Sequence, residues 1–295
     1  MNCKRSTTCT PILIAAIVFT AQFEANADTY SIGFSNGRSD DDAALRTATV
    51  EATITPRDGK FGLWRAATDT GLYHGWATFV LDIEAFDQSG DSLALKYLSN
   101  GTWHAPGWSR GPVTIQYDVL LQHDRFPNEP GDDELAAARS YGVYWTTRAL
   151  LMEGAPASNI AVDFSLPDGW QVTTPWKQNG DSSFIASDSD DLFDAAFLAG
   201  QHLASVQTFG DGEARVAIGP PIAATESHFR ELLGRFLEYY STLIGALQEE
   251  AILLVAIDAS FLGGGVMGRT ISLSVPPQTD INAVLPLAAY VIAHE

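Results

Sequence analysis

Tyr290-Val291-Ile292-Ala293-His294-Glu295, the last six residues, carry the reading on which the fold of the C-terminal part turns. They read as the first half of an HExxH helix. In that pattern two histidines at i and i+4 converge on one metal ion, and the Glu at i+1 reaches the bound water. The segment stays apolar to its end, with no Gly or Asn cap and no basic final turn, so the helix is expected to continue past Glu295. Leu287, Val291 and His294 fall at i, i+4 and i+7 on one face, and Glu295 lies one step round, above Ala288 and Ile292. Pro286 is expected in the first turn, where a missing N–H costs nothing. An imidazole and a carboxylate on the core-facing side of an apolar helix need a partner, and a metal ion with its water would serve both. In a chain with six histidines a His-Glu pair also arises by chance.

The residues upstream fit a strand–helix–strand unit. Ala214 to Ile218 reads as a strand. Thr225 to Gly245 reads as a helix, with Thr225 as N-cap and Phe229, Leu232, Leu233, Phe236, Leu237 and Tyr240 forming an apolar stripe at helical spacing. Ala251 to Ile257 is a continuous apolar run, as in a strand buried on both faces. Asp258 to Gly268 reads as a glycine-rich turn, and Arg269 to Val275 as an edge or hairpin strand that Pro276-Pro277 stops. Gly263, Gly264 and Gly265 either make a tight hairpin or present backbone N–H and C=O groups to an extended peptide.

Between Tyr30 and Trp176 the pattern is mainly period two. Candidate strands are Thr47 to Thr55, Gly75 to Phe86, Val113 to Gln122, Gly142 to Leu151 and Asn159 to Leu166. Asp58-Gly59, Ser99-Asn100-Gly101 and Pro167-Asp168-Gly169 punctuate them as turns, a spacing that suits a β-sandwich. Asp132 to Arg139 is the exception, an acidic-to-Ala stretch expected to make one or two helical turns. Six of the seven tryptophans lie between Trp64 and Trp170. Such density serves either a carbohydrate-binding platform or, more commonly, the core between two sheets. The fold class expected is therefore mainly β plus α+β, with a β-sandwich-like domain over 28–200 and a second domain over 201–295.

Residues 1–27 read as a secretory signal peptide. Lys4 and Arg5 precede an apolar run from Ile12 to Ala21 and a small-residue pattern at Ala25-Asn26-Ala27. The run is shorter than the roughly 20 apolar residues of a membrane span. The expectation is an exported protein, periplasmic or extracellular, without membrane insertion after cleavage. Cys3 and Cys9 both lie in the leader, so any metal in the mature chain would need His and carboxylate ligands. The net charge of −19 argues against nucleic acid and anionic membranes as partners, and is equally what solubility alone asks of an exported protein. The sequence leaves the oligomeric state open.

Other patterns lead nowhere. Gly33-Phe34-Ser35-Asn36-Gly37 matches a nucleophile elbow, but that motif needs a strand before it and a helix after it within a parallel sheet, and this one follows the leader by about six residues. Asp188, Asp190, Asp191 and Asp194 lack the Gly and Glu of a calcium loop and read as helix capping in an acidic turn. His74, His104, His123, His202 and His228 show no mutual metal-ligand spacing.

Four segments in one register carry a family resemblance: Leu166-Pro167-Asp168-Gly169-Trp170; Phe184-Ile185-Ala186 with Asp191-Leu192-Phe193-Asp194; Gly263-Gly264-Gly265; and Ala293-His294-Glu295. From about Asn159 onward the chain resembles the glycyl aminopeptidase family of PDZ-containing metallopeptidases, a gluzincin group in which a β-rich domain precedes a thermolysin-like catalytic domain. The resemblance implies a zinc peptidase acting on peptide substrates. His294 would be the first zinc ligand and Glu295 the general base, with the second His at position 298 and an acidic ligand further on. Gly263, Gly264, Gly265 and Met267 would line the substrate. The chain would then be an N-terminal fragment, inactive by itself and holding zinc poorly, because catalytic zinc takes three protein ligands. Met267 stands where the family has an acid for the substrate's free amino group, and a thioether cannot pair with an ammonium. The competing readings are a non-enzymatic exported β-domain protein that binds peptide or carbohydrate, and a degenerate peptidase that binds peptides without cutting them.

Overall fold

A computed structural model describes residues 28–34, 47–63, 74–121, 123, 136–209, 212–245 and 251–294. The expected leader, Ser35, Trp64 and Glu295 lie outside the described residues.

Three sheets build the N-terminal part. The largest has seven strands in the order Lys177–Gln178, Ser183–Asp188, Ser158–Ser165, Thr29–Phe34, Thr47–Ile54, Val113–Leu120 and Val80–Phe86. Thr29–Phe34 runs parallel to Ser158–Ser165, and the other pairings are antiparallel. Along Thr47–Ile54 and Val113–Leu120 every second residue is buried, as expected of a sheet with one face on a core and one in water. Opposite that face lie two four-stranded sheets. One is Met152–Glu153, Lys60–Leu63, Thr102–His104, Lys96–Ser99; the other is Gln171–Thr173, Ala196–Gly200, Gly142–Thr146, Ala137–Arg139. Ile32, Val50, Ile115 and Val162 of the large sheet share one core with Phe61, Trp103, Trp145 and Phe197 of the other two. Two buried phenols cross this core to backbone carbonyls. Tyr30 Oη donates to Met152 O at 2.8 Å, and Tyr117 Oη to Leu150 O at 2.8 Å. Each buried hydroxyl thus keeps a partner that water would otherwise supply.

The tryptophans belong to this core. Trp76, Trp145 and Trp176 are fully buried, Trp103 is buried, and Trp108 and Trp170 are partly so. No described tryptophan is exposed, so the described tryptophans form no surface platform for a sugar.

The last sheet runs Leu203–Phe209, Gly212–Ile218, Ala251–Asp258, Thr270–Val275, Gly263–Met267. Gly212–Ile218, Ala251–Asp258 and Thr270–Val275 are mutually parallel, and the two outer strands are antiparallel to their neighbours. Its two faces meet different partners. Val216, Leu254, Ala256, Leu273 and Val275 pack on the helices Glu226–Ile244 and Ile281–His294 through Phe229, Leu233, Val284 and Ala288. Ala217, Leu253, Val255 and Ile257 pack on Tyr141, Tyr144, Ala196 and Leu198 of the N-terminal part. Ala251–Asp258 is therefore covered on both sides, which is why its sequence is continuously apolar rather than alternating.

Several local expectations need correction. Ala137–Arg139 is a short strand paired with Gly142–Tyr144, not a helical turn; the neighbouring strand satisfies its backbone. Gly75–Phe79 and Thr147–Ala149 are 3-10 turns at sheet ends, not strand. Thr225 makes no side-chain cap. Pro220 starts a 3-10 turn that runs straight into the helix, and the Thr225 hydroxyl donates back to Ile222 O at 2.7 Å. Gly263–Met267 is a strand and takes the edge; Thr270–Val275 is its hairpin partner, as one of the two readings had it, and lies inside the sheet rather than at the edge. Pro286 lies within the final helix, which begins at Ile281; Asp280 Oδ1 accepts from Asn282 N at 3.0 Å there.

Candidate functional site

The Gly263–Met267 strand pairs with Thr270–Val275 in the register Gly263↔Ser274, Gly264↔Leu273, Gly265↔Ser272, Val266↔Ile271, Met267↔Thr270. No described strand pairs with its outer edge. An open edge is a row of unpaired N–H and C=O groups ready to receive an extended chain. Cross-strand partners share a face, so Gly263 and Gly265 lie with Ser274 and Ser272 on the side of the N-terminal part. Tyr144, Val255 and Ile257 complete a small hollow there with Gly264, Ser272, Leu273 and Ser274.

Gly264 faces the helices. A Cβ at this position would stand 2.7 Å from Ser272 O, 2.9 Å from Leu273 Cδ2 and 3.4 Å from Val291 Cγ2 of the final helix. Glycine here lets strand and helix approach closely. We expect Gly264→Val to cost about 1–3 kcal/mol through overpacking, read as a lowered urea midpoint, whereas Ser274→Val, at a less crowded position, should stay within about 0.5 kcal/mol.

The final helix buries Val284, Ala288, Val291 and Ile292, and Tyr290 points out at 64% exposure; of the face read from the sequence, the side chains of Leu287 and His294 lie outside the described residues. The helix backbone reaches His294, and Glu295 lies outside the described residues. The structure therefore brings together Gly263, Gly264, Gly265 and Met267 on one strand, with the helix that ends in His294 packed against it. Met267 is buried at 7% exposure, beside Thr270, whose Oγ1 accepts from Ala196 N at 3.2 Å. Among the described residues no three His, Cys, Asp or Glu side chains are grouped to hold a metal ion. The donors described do not by themselves make up a catalytic zinc centre, which takes three protein ligands.

Contacts that the sequence did not reveal anchor this strand. Asp188 caps the Ser189–Phe193 helix as expected, accepting from Asp191 N at 2.9 Å, but the neighbouring acids do more than fill a solvated turn. Asp191 pairs with Arg269, and Asp194 pairs with Arg148. Tyr141 Oη donates to Asp258 Oδ1 at 2.7 Å, and Arg139 Nε donates to Asp258 O at 3.1 Å. Burial and the neighbouring Asp258 carboxylate push the Tyr141 phenol up. These partners lie far apart in sequence, and no local spacing announces them.

A β-sandwich is thus joined to a mixed sheet with two helices, whose glycine edge strand lies beside the helix Ile281–His294. The Peptidase M61 N-terminal domain profile matches residues 40–201, more than half of the chain. The chain belongs to the peptidase M61 family. Among solved structures it is similar to an aminopeptidase N family protein from Idiomarina loihiensis, with a TM-score of 0.67 at 17% identity over 90% of this chain and 47% of that one. The likeness is one of fold, and this chain spans about half the length of that structure. Among curated proteins none matches in sequence. The family match reaches well upstream of Asn159, into strands where the sequence reading found only strand-rich character.

Proposed function

We propose that this chain is the N-terminal portion of an exported zinc metallopeptidase and that its Gly263–Met267 edge strand receives the peptide. The observation that carries the reading is that strand: unpaired by any described strand on its outer edge, cleared of side chains at Gly263, Gly264 and Gly265, and packed against the helix that reaches His294. An extended peptide would add as a further strand, held by main-chain hydrogen bonds that do not depend on its sequence. His294 would contribute a ligand and Glu295 a base, with the remaining ligands in residues after 295. Zinc, where three ligands hold it, supplies an activated water for peptide hydrolysis. Membership of the peptidase M61 family and the fold shared with an aminopeptidase N family protein support this reading. The buried Met267 leaves the strand without a carboxylate at that position, so a free amino terminus would find no ionic partner there.

Export is proposed from the leader pattern of residues 1–27. Among the described residues no helix is long and apolar enough to cross a membrane. Sequencing the gene past codon 295 tests the zinc reading: a His codon at 298 and a downstream acidic ligand are expected. A stop directly after Glu295 would remove the zinc site and favour a peptide-binding protein that does not cut.

A further inference from the structure

The glycine strand is the least self-supporting element of its sheet. Among the described residues it has one neighbouring strand, and three of its residues have no side chains, yet both of its flanks are fastened to the N-terminal part. Upstream, Asp258 ends the central strand just before the chain turns toward Gly263. It is held by Tyr141 Oη at 2.7 Å on its carboxylate and by Arg139 Nε at 3.1 Å on its carbonyl. Tyr141 sits in a slot that glycines leave for it. A Cβ at Gly219 would stand 2.3 Å from the Tyr141 oxygen, and one at Gly200 2.3 Å from the Tyr141 carbonyl. Downstream, Arg269 donates to Asp191 Oδ1 and, at 3.2 Å, to Ala251 O. Gly268, at φ +50, lies so close to Asp194 that a Cβ would stand 2.2 Å from its carbonyl oxygen. Side chain, backbone and glycine positions on both flanks are thus fitted to the N-terminal part.

We propose that the N-terminal β-domain acts as a brace, with Tyr141 and Asp191 as positioning residues that hold Gly263–Met267 in place for an incoming peptide strand. The identity of the occupant rests on the peptidase reading; the brace itself does not. Main-chain docking works when the receiving edge is already ordered, because the ordering entropy is then not charged to binding.

Amide hydrogen exchange on the whole chain tests this. Tyr141→Phe removes one part-buried hydrogen bond to a charged acceptor and should raise exchange roughly tenfold at the amides of Gly263–Met267 that bond to Thr270–Val275. Gly212–Ile218, inside the same sheet, should stay within about twofold of the unmodified protein. Asp258→Asn keeps an acceptor for the phenol and should retain slow exchange in the glycine strand. Should Tyr141→Phe fail to fold, Arg269→Lys read in the same way takes its place. Unchanged exchange at 263–267, or an equal rise in both strands, would overturn the brace. Absence of peptide hydrolysis by the native protein, measured separately, would overturn the peptidase reading and leave the exchange result standing.

Discussion

Between pH 7 and pH 5 each of two buried histidines should take about 2 kcal/mol from the folding stability. His123 is fully buried and stacks on Phe79 at 3.8 Å and on Trp76 at 5.5 Å. Its Nε2–H donates to Leu120 O at 2.8 Å, and its Nδ1 accepts from Ala136 N at 3.4 Å, so the ring is held neutral. Burial lowers its pKa to about 3, against the weaker opposing pull of the Leu120 carbonyl. His202, bonded to Thr173 Oγ1 at 2.7 Å, is lowered to about 4, again by burial. Both folded pKa values lie below the unfolded one. The stability they carry is complete above about pH 6.5 and is lost as the unfolded chain takes up protons below it.

Two carboxylates act in the other direction. Burial raises Asp28 to about 6, against one hydrogen bond from Thr55 N, and burial followed by Asp190 raises Glu153. A carboxylate with a raised folded pKa favours the fold at low pH and costs stability as pH rises from about 4 through 6. Asp28→Asn should therefore stabilise the protein at pH 7 by about 1–2 kcal/mol and steepen the loss toward pH 5, because the compensating group is gone. Urea midpoints at pH 7 and pH 5 for both proteins check this. Equal midpoints at the two pH values in the Asn variant would contradict the histidine account.

Trp145→Ala should destabilise the protein by about 3–5 kcal/mol. Trp145 has no exposed surface. It lies 5.8 Å from Phe197, its cross-strand partner, and 6.0 Å edge-on from Phe34 of the large sheet. Its indole N–H has no hydrogen-bond partner among the described residues, so packing accounts for the loss. Trp145→Phe should recover most of it. The experiment also bears on the alternative of a sugar-binding aromatic surface, since a platform tryptophan can be truncated at little cost to folding. A loss below about 1 kcal/mol would place Trp145 outside the core.

The period-two segments, the buried strand at Ala251–Ile257 and the stripe from Phe229 to Tyr240 were legible because each buries a face set by local periodicity. Gly263–Met267 was harder. Three consecutive glycines carry no periodicity, and the reading as a turn overlooked a strand defined by its neighbour and by the helix beneath it. Ala137–Arg139 misled for a related reason: Ala and Arg favour helices, and tertiary pairing overrode that preference. The long-range pairs Tyr141–Asp258 and Asp191–Arg269 join residues 117 and 78 positions apart, beyond any spacing rule. His294-Glu295 drew the metal reading because HExxH is a local helical pattern, whereas any further ligands would lie outside that pattern.

Hydrolysis of an unfolded protein substrate by the native protein, before and after chelation and after zinc is returned, tests the central claim most directly. The account predicts cleavage that chelation abolishes and zinc restores. A native protein that binds unfolded peptide without cutting it, whether or not zinc is supplied, would contradict the account.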